Sequence, residues 1–96
     1  MRRQNTQLLK DVLQDIVRTE GLEPKLQEAR LLVHWDELLG QTVARATHNK
    51  YIRDRKLFVQ LRSSIVRQQL FMIRNEIMEK LNQHVGVKMI DEIVLI

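Results

Sequence analysis

Apolar residues recur along the chain with two periods, and the change between them divides it into elements. Leu8, Leu9, Val12, Leu13, Ile16 and Val17 fall on one side of a 3.6-residue repeat, which predicts an amphipathic helix. Asn5 or Thr6 can cap it. Gly21 can end it, because glycine enters the left-handed conformation without a side-chain clash. Glu23-Pro24 opens a second helical region, since proline at the first helical position is already set to a helical φ and loses no needed N–H. Its longest apolar stripe is Leu32, Trp35, Leu39, Val43 and Ala46, and Gly40 marks a bend or a break within it. From Tyr51 the period falls to two. Leu57, Val59 and Leu61 alternate with Phe58, Gln60 and Arg62 as in a half-buried strand. Asn49 to Arg53 can form the partner strand, with Asp54-Arg55 at the turn of a short antiparallel hairpin, although no glycine is present there. Ser63 or Ser64 then caps a long helix through Val66, Leu70, Ile73, Ile77 and Leu81, which Gly86 closes. Val87 to Ile96 is β-branched and reads as a last strand, with Ile93 and Leu95 directed inward.

The order is therefore helix, helix, strand, strand, helix, strand. It predicts an α+β fold, a three-stranded antiparallel or mixed sheet covered on one face by helices. The last strand follows a helix long enough to cross the sheet and can pair with either hairpin strand. At 96 residues the chain is expected to form one domain over residues 1–96. Folding at this size buries only about 60 to 65 % of the surface of the unfolded chain, so a compact, well-patterned core is required.

With no cysteine, neither a disulfide framework nor a thiolate metal site is available. That suits a reducing compartment. The basic opening leads into a charged amphipathic segment rather than an apolar run, and no export signal is visible. The longest apolar runs are far short of the roughly 20 residues that span a bilayer. A soluble, cytoplasmic protein with no membrane partner is expected.

The net charge of +4 is concentrated. Residues 1–44 hold six Lys/Arg against seven Asp/Glu, and residues 68–96 hold three against four. Residues 45–67 hold Arg45, Lys50, Arg53, Arg55, Lys56, Arg62 and Arg67 against Asp54 alone. Clustered positive potential attracts polyanions, so these seven are the candidate phosphate contacts. A solvated basic loop and strand surface is the alternative. Phe58, on the strand face opposite Leu57, Val59 and Leu61, is a candidate stacking surface for a base. It could equally pack under the first helix or at a protein interface. Trp35 lies within its apolar stripe and reads as a core anchor.

Chemistry is harder to find. His34, His48 and His84 are too scattered for a metal site and read as surface or rim residues. Asp36-Glu37 read as a solvated polar face. Ser63-Ser64 lack any neighbouring general base, and Gly21, Gly40 and Gly86 stand singly, without a phosphate loop. No catalytic residue and no cofactor is expected.

Gly21-Leu22, Trp35-Asp36-Glu37-Leu38-Leu39-Gly40, the hairpin from Arg53 to Leu61, Ser63-Ser64 and the helix from Val66 to Leu81 follow one another in a recognisable order. From about Leu8 to Ile96 the chain resembles the DciA-like family, bacterial proteins formerly grouped as a domain of unknown function and associated with loading or operating the replicative helicase. The opening Met1-Arg2-Arg3-Gln4-Asn5-Thr6 is similar to the short form found in Bacteroidetes. The resemblance implies a KH-like α+β fold, contact with the hexameric replicative helicase, affinity for nucleic acid, particularly single-stranded DNA, and no enzymatic activity. There are departures. The hairpin turn usually carries Asp-Gly where this chain has Asp54-Arg55, and an aromatic is common after the serine pair where Ile65-Val66 stands. Many members extend into a C-terminal tail implicated in engaging the helicase, whereas this sequence stops at the last strand. The Gly-x-x-Gly loop of true KH domains is missing, so their backbone clamp is not implied.

The leading expectation is a non-catalytic accessory protein of DNA replication that binds single-stranded DNA through its basic hairpin and assists the helicase. Two alternatives stay open: an RNA-binding, ribosome-associated module, and a protein-interaction adaptor. The adaptor's last strand would pair with a partner or with a second copy, which leaves the oligomeric state open.

Overall fold

The computed structural model describes residues 22–96. The first predicted helix, Leu8 to Val17 with its caps, lies outside them. Helix α1 (Glu23–Ala46) starts with Pro24 in its first turn and Glu23 at the positive end of its dipole. Gly40 interrupts it at φ 84, ψ 176, a backbone conformation open essentially to glycine alone. Leu31 and Trp35, one turn apart, are fully buried, and Leu32, Leu38, Leu39 and Val43 pack at their margin. The predicted stripe thus began one residue late. Thr47 ends the helix and ties it to the core. Its hydroxyl donates to the Val43 carbonyl at 2.8 Å and accepts from the Trp35 indole N–H at 3.2 Å.

Strands β1 (Thr47–Arg53) and β2 (Lys56–Leu61) form the predicted antiparallel hairpin. Its two-residue turn has positive φ at both Asp54 (52°) and Arg55 (61°), the type I′ geometry that matches strand twist. A bulge between Thr47 and Asn49 inserts His48 and turns Thr47 toward the core. Leu57, Val59 and Leu61 are buried on one face of β2, as their alternation predicts.

The single long helix expected after Ser63 is two. Helix α2 (Ser64–Met72) is capped by Ser63, whose hydroxyl accepts from the Val66 N–H at 3.2 Å. Helix α3 (Arg74–Val85) follows a break at Ile73, which leaves helical geometry at φ −118, ψ 18. The Ile73 N–H takes the Leu70 carbonyl in a tight three-residue bond, and Arg74 caps the freed Phe71 carbonyl at 2.8 Å. An uninterrupted 3.6-residue repeat hides such a break. After it, α3 brings Ile77, Leu81 and Val85 onto α1 and the sheet. Gly86 ends α3 in the left-handed region at φ 83.

Strand β3 is also shorter than expected. It covers Glu92–Leu95 rather than starting at Val87. Asn82 explains the difference: its side-chain oxygen accepts from the Met89 and Ile90 N–H groups at 3.0 and 3.1 Å, and its amide donates to the Ile90 carbonyl at 3.0 Å. These bonds take the backbone groups a strand would need. β3 pairs in parallel with β2, so the mixed sheet runs β1-β2-β3, and the described helices pack on one face of it around Leu31, Trp35, Leu57, Val59, Leu81, Ile90 and Ile93.

Candidate nucleic-acid interface

Register fixes which side chains share the sheet face turned away from the core. Arg53 pairs with Lys56, Tyr51 with Phe58 and Asn49 with Gln60, all of opposite parity to the buried Leu57 and Val59. Arg53 and Lys56 are exposed, and among the described residues neither makes an ion pair. Two cations directly opposite on a sheet repel one another.

The other five predicted contacts divide by what already holds them. Lys50 belongs to the core-side face, opposite Val59, and its ammonium reaches Asp36 of α1 at 2.8 Å. Asp36 is therefore a partner across elements rather than part of the solvated face read from sequence. Arg55 forks onto Asp91, Nε to Oδ2 and Nη2 to Oδ1, both at 2.9 Å, and Nη2 also donates to the Lys88 carbonyl at 2.9 Å. The Asp91 N–H returns a bond to the Arg55 carbonyl at 2.7 Å. This fork holds the Asp91 carboxyl below its ordinary value and the Arg55 guanidinium above its own. Arg55 thus fastens the hairpin tip to the α3–β3 loop.

Arg45, Arg62 and Arg67 gather at the opposite end of the hairpin. Arg62 donates to the Arg45 carbonyl at 2.9 Å and lies 3.3 Å from His48 Nδ1, while Arg67, half-buried, reaches the Leu61 carbonyl at 3.4 Å. Arg45 bonds Gln41 one turn back at 3.3 Å. Basic groups therefore stand at both ends of the hairpin, and on its outward face the half-buried Tyr51 and Phe58 lie between them.

The histidines are not all isolated rim residues. His34 of α1 and His84 of α3 stack with ring centroids 3.6 Å apart and planes within 4°. Their separation in sequence hides this. No group of three or more His, Asp or Glu side chains converges as a metal site among the described residues.

The family model described as Dna[CI] antecedent, DciA, matches residues 8–95. The chain belongs to the DciA family. That family is associated with DNA replication and helicase loading, interacts with the replicative helicase, and is an accessory rather than an enzyme family. No curated protein matches the chain significantly. No helix among the described residues is long and apolar enough to cross a membrane.

Proposed function

We propose that this member of the DciA family binds single-stranded DNA along the open face of its β1–β2 hairpin and presents it to the replicative helicase. The observation that carries the reading is the Arg53–Lys56 pair, two exposed cations opposed across the hairpin without an ion-pair partner among the described residues. A phosphate placed between them relieves their repulsion. Arg45, Arg62 and Arg67 extend the contact at the other end of the face. Lys50 and Arg55 leave the proposed set, because their charges are already spent on Asp36 and Asp91. The described order of helix, hairpin, helix pair and strand supports the KH-like arrangement that the resemblance implies, and Arg53 and Lys56 stand on its sheet rather than on a Gly-x-x-Gly loop.

Three or four phosphate contacts on a single strand give a slope of log affinity against log salt of roughly −2 to −3. The decisive test is calorimetry of the protein against the replicative helicase of its own organism, with and without a single-stranded oligonucleotide. Helicase binding that strengthens with the strand supports the proposal. Helicase binding unaffected by the strand, with no strand binding at low salt, refutes it and favours a protein adaptor. A matched RNA strand that outcompetes DNA would move the reading to an RNA-binding module.

A further inference from the structure

The open face of the sheet is organised in rows, each two residues, or about 6.7 Å, from the next. The row at the hairpin tip is Arg53, Lys56 and Glu92, and the next is Tyr51, Phe58 and Val94. Behind these stand Asn49 and Gln60, and Arg62 continues the same parity beyond the strand. Tyr51 and Phe58 stack on each other, centroids 5.0 Å apart and planes 11° from parallel. All three are half-buried, and among the described residues neither ring, nor Val94, belongs to the core cluster or its packed margin.

Two aromatic rings that stand together outside the core, with cations before and behind them along the strands, match the needs of a nucleotide unit. A base is apolar on its faces and stacks on aromatic rings whatever its identity, while its phosphates seek the cations. Because the two rings are already aligned, a base can extend the stack with little further ordering of the protein, which favours binding. Asn49 and Gln60 add amide groups beside the rings. The Asn49 side-chain oxygen is engaged by the Lys50 N–H at 2.9 Å, leaving its NH₂ to donate. Glu92, beside Lys56 in the β3 register, is the carboxylate that opposes a phosphate at the tip.

We infer that Tyr51 and Phe58 form a base-stacking step at the centre of the open sheet face, with Arg53 and Lys56 holding the phosphate on one side of the base and Arg62 the phosphate on the other. Tyr51 carries a role that sequence reading gave to Phe58 alone. The inference rests on the proposed strand binding and deepens it, since charge by itself would need no rings.

Anisotropy titrations of the full chain test it with a labelled single strand of thymidines and an abasic strand of equal length and charge. The stacking step predicts that the base-bearing strand binds about ten- to a hundredfold tighter. It also predicts that Tyr51→Leu weakens binding of that strand while leaving the abasic strand unchanged. The abasic comparison uses unaltered protein, so a folding defect in the variant cannot mimic the result. Glu92→Gln should tighten both strands to the same degree. Equal affinity for the two strands overturns the stacking step and leaves the charge-based reading standing. Binding of neither strand at low salt overturns both.

Discussion

Asn82→Ala should be among the most destabilising polar substitutions in the described part of the chain. Asn82 makes three hydrogen bonds to the backbone of Met89 and Ile90, with both acceptor bonds and the donor bond within 3.1 Å. Ile90 is fully buried, whereas Met89 is only half-buried, so water can replace the bond at Met89 more readily than those at Ile90. A net loss of about 1 kcal/mol for the replaceable bond at Met89, and of 1–3 kcal/mol for each of the two Ile90 groups left without a partner, gives a total of about 3–7 kcal/mol. A domain of this length has roughly 5–14 kcal/mol in all. Urea unfolding followed by fluorescence of Trp35, the one tryptophan and fully buried, reads the change directly. The damage should propagate, because the next residue, Asp91, grips Arg55 at the hairpin tip. Hydrogen exchange at the Asp91 N–H should accelerate in the variant. A loss below about 0.5 kcal/mol, within the range of an ordinary surface substitution, would show that packing of Ile90 alone holds the loop.

Gly40→Ala forces a side chain into φ 84, ψ 176. Among the described residues no atom beyond the adjoining backbone lies within 4 Å of the added methyl, so the expected loss of about 1–3 kcal/mol is backbone strain, measurable by the same urea titration. For Asp91, the hydrogen bonds from Arg55 lower the folded-state pKa beneath the ordinary 3.8. Its contribution to stability is therefore present above that value and lost as pH falls through the lower folded value. Asp91→Asn should flatten the acid limb of the stability–pH curve below pH 3.8, and high salt should shrink the difference, since both partners are exposed. An unchanged acid limb would show that the fork does not hold in solution.

The hairpin was legible because period-two alternation at Leu57, Val59 and Leu61 survives into the buried face, and because only two residues separate the paired runs. What holds its glycine-free turn was not. Asp54 tolerates a left-handed conformation through its short polar side chain, but Arg55 is held by Asp91, 36 residues away. Local sequence carries no trace of that pairing. The same limit hid the His34–His84 stack and the Lys50–Asp36 bridge, each formed across elements. The break at Ile73 was invisible for a different reason. Val66, Leu70, Ile73, Ile77 and Leu81 keep helical spacing straight through it, yet Ile73 is 42% exposed and the core-facing stripe of α3 starts afresh at Ile77. Charge counting locates the basic segment. It does not tell cations paired with a neighbouring carboxylate from those without one among the described residues, because pairing depends on which strand face a residue occupies and what packs against it.

If Arg53 and Lys56 hold phosphates, the salt dependence of strand binding reports it. Log affinity for a single-stranded oligonucleotide should be plotted against log salt for the native protein and for Arg53→Gln/Lys56→Gln. The variant should bind more weakly, with a slope shallower by about 1.4, the value for two lost contacts on a single strand. An unchanged slope with unchanged affinity would contradict it and take the open hairpin face out of strand recognition.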